Sequence, residues 1–221
     1  MKVILFGATG MVGQGVLQEC LRSAEVESVL SIGRRPSRHQ HGKLCEIVHL
    51  NLEDLFEIES ELAGYDACFF CLGVSSIGMK ERDYRWVTYE FALSAARTLA
   101  RLNPEMTFIY VSGAGTDSSG KGSRMWARVK GETENAIFAL PFKAAYAFRP
   151  AYIQPVGGVV PKVAWMRALY AVFGPLYALW KGLFPQYVCT TEQVGRAMIR
   201  VARGGAPKRV VESRDIVAFA L

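Results

Sequence analysis

Short, uninterrupted apolar runs alternate along this chain with longer stretches in which apolar residues recur every three or four positions. The runs read as buried strands and the stretches as amphipathic helices. Strands are predicted at Lys2–Phe6, Ser28–Ile32, Glu46–Leu50, Ala67–Leu72, Thr107–Ser112, Ala144–Phe148 and Val210–Ser213. Helices are predicted at Met11–Ser23, Leu55–Leu62, Tyr84–Leu102, Met125–Leu140 and Thr191–Arg203. The Tyr84–Leu102 stretch carries Val87, Phe91, Leu93, Ala96 and Leu99 on its apolar stripe. Strands that lack polar alternation are covered on both faces, so the pattern predicts an α/β fold with one doubly wound parallel sheet. Right-handed crossovers then place a ligand crevice at the carboxyl ends of the strands. No repeat, low-complexity tract or charged linker divides residues 1–221, which read as one domain.

One segment breaks the alternation. From Ala168 to Trp180 no residue is charged, with Lys162, Arg167 and Lys181 on the flanks. A membrane span needs about 20 apolar residues, and Gly174-Pro175 interrupts this run. It reads as two short helices, Pro161–Phe173 and Pro175–Leu183, forming an apolar helical insertion over about 159–185 after strand six. Such an insertion serves as a lid over an apolar ligand. The alternatives are a homodimer face or a peripheral membrane contact through about 161–183, which its Trp and Tyr with flanking Lys and Arg favour; lid and partner surface are not exclusive.

The first strand runs directly into Gly7-Ala8-Thr9-Gly10-Met11-Val12-Gly13 and a helix. Glycines at 7, 10 and 13 permit a tight turn, close backbone approach to a pyrophosphate, and close packing of the helix on the strand. The helix N-terminus adds unpaired N–H groups and partial positive charge. Strand, turn and helix together point to a Rossmann fold binding a dinucleotide through Gly7, Thr9, Gly10, Met11 and Val12. An NAD site normally has an acidic residue about 20 positions further on, for the ribose 2′-hydroxyl. This chain reads Ser31-Ile32-Gly33-Arg34-Arg35 there. Guanidinium groups attract a 2′-phosphate that a carboxylate would repel, so Arg34 and Arg35 predict NADP as the cofactor. On this fold Asn51-Leu52 falls at the adenine edge, and Cys71-Leu72-Gly73 approaches the adenosine ribose.

Composition narrows the classes. With 51% hydrophobic and 21% charged residues the chain is globular rather than disordered. Its net charge of +6, without an aromatic-interleaved basic stripe, speaks against nucleic acid and for an anionic cofactor or lipid. A strand starting at Lys2 leaves no room for a cleavable leader ahead of it. The five cysteines, an odd number, point to buried reduced thiols in a cytoplasmic protein. Cys68 and Cys71 form C-x-x-C, but within a strand their side chains point to opposite faces, so no metal site is expected. His39, His41 and His49, clustered around strand three, read as surface residues.

Six motifs carry a family resemblance over nearly the whole chain: residues 7–13, Ile-Gly-Arg-Arg (32–35), Phe-Cys-Leu-Gly (70–73), Val-Ser-Gly-Ala (111–114), Val-Lys-Gly-Glu (129–132) and Phe-Arg-Pro (148–150). With these the chain resembles the short-chain dehydrogenase/reductase superfamily, in the atypical branch of Tat-interacting-protein-like reductases and epimerase/dehydratase-like proteins. The resemblance implies an NADP-dependent oxidoreductase acting on a small apolar carbonyl or hydroxyl compound. It also implies a catalytic Ser112, a Lys130 that touches the nicotinamide ribose, and a Pro150 segment passing beside the nicotinamide. The superfamily's catalytic tyrosine is missing: Trp126 stands four residues before Lys130. An indole N–H only donates and does not ionise in the useful range, so Trp126 cannot act as general acid or base. Tyr84, Tyr89, Tyr110 and Tyr152 are the nearby tyrosines, none at a spacing that singles it out. A displaced acid or water would supply the proton; the alternative is a non-catalytic NADP-binding regulator or scaffold, or a protein peripheral to the membrane.

Overall fold

The computed structural model describes residues 1–160 and 187–221. Seven parallel strands form the main sheet in the order β3 (Leu44–Val48), β2 (Ser28–Gly33), β1 (Lys2–Phe6), β4 (Ala67–Phe70), β5 (Thr107–Val111), β6 (Ala144–Arg149) and β9 (Val210–Glu212). The chain winds outward from β1 to β3 and then resumes on the other side of β1 at β4. That reversal is the switch point where a doubly wound sheet opens its crevice. Four central strands are buried along almost their whole length, as their unbroken apolar runs require.

Two helical layers cover the sheet. On one face lie α1 (Met11–Arg22), α5 (Thr191–Gly204) and α6 (Ser213–Phe219), which close over Val3, Leu5, Phe69, Ile109 and Phe148. On the other, α3 (Phe91–Leu102) and α4 (Met125–Phe138) close over Ile4, Phe6, Phe70, Phe108 and Tyr110. A capping box at Thr190 and Gln193 starts α5, each side chain bonding the other's backbone N–H. Helices α1 and α5 touch through small residues. A Cβ at Gly15 would lie 2.4 Å from the Thr191 Cβ, and one at Gly195 would lie 2.8 Å from the Glu19 side chain. A separate two-stranded parallel sheet pairs β7 (Tyr152–Gln154) with β8 (Val188–Thr190).

The single doubly wound Rossmann sheet is as predicted, with differences at its margins. Strand β3 covers 44–48 rather than 46–50, because register with Val29–Gly33 fixes it. The apolar Val48 and Leu50, which suggested a buried strand, are exposed at this edge. The segment predicted as a helix over 55–62 is 3-10 in form, Phe56–Leu62. The helix predicted from Tyr84 begins earlier, as α2 (Glu81–Arg85), and passes into α3 through a π-helical turn, Trp86–Glu90. Its polar first turn gave no apolar periodicity to read. Strand β9 ends at Glu212, and Ser213 opens a helix the pattern did not show. His49 is buried, its Nε2 2.7 Å from the Asp54 carbonyl oxygen, and is not a surface residue. Of the five free cysteines Cys45 is exposed on the edge strand, so not all the thiols are buried. The two short helices expected within 161–183 lie outside the described residues. Among the described residues no helix is long and apolar enough to cross a membrane.

Candidate functional site

The glycine turn is built so that nothing but backbone fills it. Gly7 has φ of 84°, a left-handed conformation that glycine adopts without strain, and a Cβ there would lie 2.7 Å from the Leu72 nitrogen. Gly10 donates its N–H to the Gly7 carbonyl at 2.8 Å, closing the turn directly before α1. At Gly13 a Cβ would sit 2.1 Å from the Gly7 carbonyl oxygen, so the first turn of α1 lies against the strand end. The N-terminus of α1, with its unpaired N–H groups, thereby opens onto the crevice between β1 and β4.

A cleft of about 550 Å³ lies at that point. Gly7, Thr9 and Gly10 form one wall, Arg34 and Arg35 another, and Leu52, Cys71, Leu72 and Gly73 the remainder. Nine of the residues expected to bind cofactor thus meet in one cavity. Gly33 and the 75% exposed Leu50 join them, which the sequence reading did not include. Arg34 and Arg35 are exposed, and among the described residues neither pairs with a carboxylate. Asn51 does not line the cavity; its Oδ1 accepts from the Glu53 N–H at 3.3 Å, a turn-capping role. Met11 and Val12, at the start of α1, pack against the core and do not line the cavity. Burial raises the Cys71 thiol far above its ordinary value, so it meets the cleft as a neutral group.

Ser112 and Lys130 come together further along the sheet. Ser112 follows β5, with its Oγ 2.8 Å from the Thr116 Oγ1 in a turn that also bonds the Gly113 carbonyl. Lys130, on α4, donates from Nζ to the Ser112 carbonyl at 3.1 Å and the Val111 carbonyl at 3.4 Å. Its ammonium lies over the Tyr110 ring, 5.5 Å from the centroid. Burial lowers the Lys130 amine to about 8, partly offset by the Glu134 carboxylate. Trp126 leans on the same turn, its indole 3.6 Å from where a Gly115 Cβ would be. Pro150 is buried, and its carbonyl accepts from the Ala114 N–H at 2.9 Å.

Two of the nearby tyrosines are sealed in the core and two are held by neighbouring side chains. Tyr110 is buried on the Ser112 face of β5, and that burial drives its hydroxyl beyond any working pH. Tyr84 is likewise buried, with its pKa raised by desolvation. Tyr89 lies under the Arg85 guanidinium, and the Tyr152 hydroxyl donates to Gln154 at 2.7 Å. A second cavity, of about 580 Å³, adjoins the Ser112 turn between Ala114, Ala151, Tyr187 and the Glu212–Arg214 segment.

Residues 7–140 match the model of a protein family described as NAD(P)H-binding. The chain belongs to that family. Among the relatives of this NAD(P)H-binding protein is Protein HTATIP2 of Rattus norvegicus, 26% identical over 98% of this chain and 88% of the relative. Another is Protein fmp52-2, mitochondrial, of Neosartorya fischeri, 27% identical over 96% and 93%. The Bordetella bronchiseptica enzyme WbmF, solved in complex with NAD+, superposes with a TM-score of 0.69 over 98% of this chain and 76% of its own, at 14% identity. MoeE5, in complex with UDP-glucose and NAD, gives 0.70 over 100% and 81% at 15% identity. The likeness to these two solved structures is one of fold, the same doubly wound sheet with its nucleotide crevice at the switch point, and the two sequence relatives match this NAD(P)H-binding protein over nearly all of its length. Its cofactor is a nicotinamide dinucleotide.

Proposed function

We propose that this protein is an NADP-dependent reductase of a small, mostly apolar carbonyl compound. The observation that carries the cofactor choice is the exposed pair of guanidinium groups of Arg34 and Arg35 on the cleft wall, without a carboxylate partner among the described residues, where an NAD site has a carboxylate. The cleft fits the group: a Cβ at Gly7 or Gly13 would collide with backbone, so the cradle admits a diphosphate against the α1 N-terminus. Leu50 and Leu52 offer apolar contact to the adenine, and Cys71–Gly73 to the adenosine ribose. Lys130 and Pro150 hold the nicotinamide end.

A bound reduced nicotinamide supplies the hydride. Thr116 Oγ1 donates to the Gly113 carbonyl, so the single Ser112 proton rests on Thr116 and rotates onto the substrate oxygen to orient it. The Lys130 ammonium spends two N–H groups on the Val111 and Ser112 carbonyls and keeps its third for the nicotinamide ribose, so a water supplies the proton for the alkoxide. Trp126 packs the turn and gives the site an apolar wall. The cavity beside Ala114, Ala151 and Tyr187 receives the rest of the substrate.

Calorimetry with NADPH and NADH tests the cofactor. NADPH should bind about tenfold to a hundredfold tighter, and Arg34→Ala/Arg35→Ala should abolish the preference without weakening NADH. Equal affinity for both cofactors in the wild type overturns the assignment. A second reading rests on Trp126 and on the burial of Tyr110 and Tyr84: a non-catalytic NADP-binding scaffold. Tight NADPH binding without oxidation across a panel of aldehydes and ketones would favour it.

A further inference from the structure

Arg149, at the end of β6, stands where the elements that carry Ser112, Lys130 and Pro150 meet. Its Nε donates to one Glu134 oxygen at 3.0 Å and its Nη2 to the other, a two-pronged pair with α4. The same Nη2 donates to the Ser118 hydroxyl, in the loop after Ser112. Its remaining Nη1 lies 3.8 Å from the Glu212 carboxylate at the end of β9. Glu134 is 1% exposed and lies one helical turn beyond Lys130; Pro150 directly follows Arg149. Other bonds fasten the loop to α4: the Asp117 N–H to the Ala127 carbonyl at 3.1 Å, and Asn135 Nδ2 to the Ser118 carbonyl at 2.9 Å.

A buried ion pair is weak evidence for stability, since apolar replacements of similar volume are often neutral or stabilising. What the guanidinium fork provides beyond an apolar contact is a fixed plane and direction. The geometry points to Arg149 as a positioning residue that, through Glu134 and Ser118, holds Lys130, Ser112 and Pro150 in one arrangement for the nicotinamide half of the cofactor. The adenosine half lies elsewhere: β6 is three strands from β1, roughly 14 Å at the usual strand spacing. This inference rests on the cofactor reading above.

Adenosine 2′,5′-bisphosphate carries the adenosine half without the nicotinamide, so it separates the two. Glu134→Leu/Arg149→Met replaces the pair with apolar side chains; Arg149→Lys keeps the charge and loses the fork, and serves should the double variant not fold. The variants should bind adenosine 2′,5′-bisphosphate as the wild type does. They should bind NADPH about tenfold more weakly and lose the change in nicotinamide fluorescence that accompanies wild-type binding. Unchanged NADPH affinity and emission in a folded variant overturns the inference. Parallel loss of both ligands also overturns it, by reducing Arg149 to a general structural part. A wild type that binds neither ligand instead overturns the cofactor reading.

Discussion

Gly13→Ala is a test in which the sign of the effect is diagnostic. In an open helix, alanine in place of glycine stabilises by about 1 kcal/mol. At Gly13 the new Cβ would lie 2.1 Å from the Gly7 carbonyl oxygen and 2.6 Å from its carbon, so α1 must retreat by roughly 1.4 Å to reach ordinary contact. Overpacking of this kind costs about 1–3 kcal/mol, which leaves a net loss of about 1 kcal/mol. For a chain of this size the melting temperature should fall by about 2–4 °C. The same retreat takes the α1 N–H groups out of hydrogen-bond range of a bound diphosphate, so NADPH affinity should drop by about tenfold or more. Gly204→Ala is the control, since a Cβ at that position of α5 meets nothing within 4 Å. Differential scanning fluorimetry and calorimetry read both quantities. A Gly13→Ala protein that melts at or above the wild-type temperature and binds NADPH unchanged refutes the close-contact argument.

Trp126→Tyr restores an ionisable hydroxyl four residues before Lys130; NADPH oxidation with a carbonyl panel should rise by about a hundredfold, and an unchanged rate would show that the turn does not present that position to substrate. Burial holds the Lys130 amine at about 8, below its unfolded value of about 10.4. The unfolded chain therefore binds more protons between those values, and this group's contribution makes stability rise with pH from about 8 to about 10.4. Lys130→Met should remove that rise in urea melts, and a difference from wild type that is independent of pH contradicts the buried amine.

The parts of the fold legible in the sequence are those written locally. Lys2–Phe6, the glycine turn and α1 declare themselves because a buried strand and a tight turn each need particular residues at adjacent positions. The alternation of elements likewise gives the parallel sheet. Strand β3 was misplaced because hydrophobicity stands for burial only in the interior, and Val48 and Leu50 are exposed. The π-helical turn at Trp86–Glu90 is a one-residue insertion that leaves the apolar stripe readable on either side. At the site, Arg34 and Arg35 were found through their distance from the glycines. Asn51 sits between the cavity-lining Leu50 and Leu52, and its side chain caps its own turn. Glu134 and Arg149 could not be paired from spacing, since only the packing of α4 on β6 brings them together. The Phe-Arg-Pro motif was the available signal, and it drew notice to Pro150 rather than to the arginine.

The glycine-to-helix contact between α1 and α5 bears on how far the nucleotide grip can be dissected. The stretch shared with the family stops at residue 140, whereas Thr191 and Gly195 are the surface on which the back of the phosphate helix rests. An excised fragment ending there would leave Val16, Leu17 and Cys20 facing water, stripped of Val194, Ala197, Met198 and Val201. The glycine turn, α1 and α5 are thus one cooperative body. A bulky change at Gly195, which lines neither cavity, would push on Glu19 and Val16 and so displace the helix that borders the glycine turn.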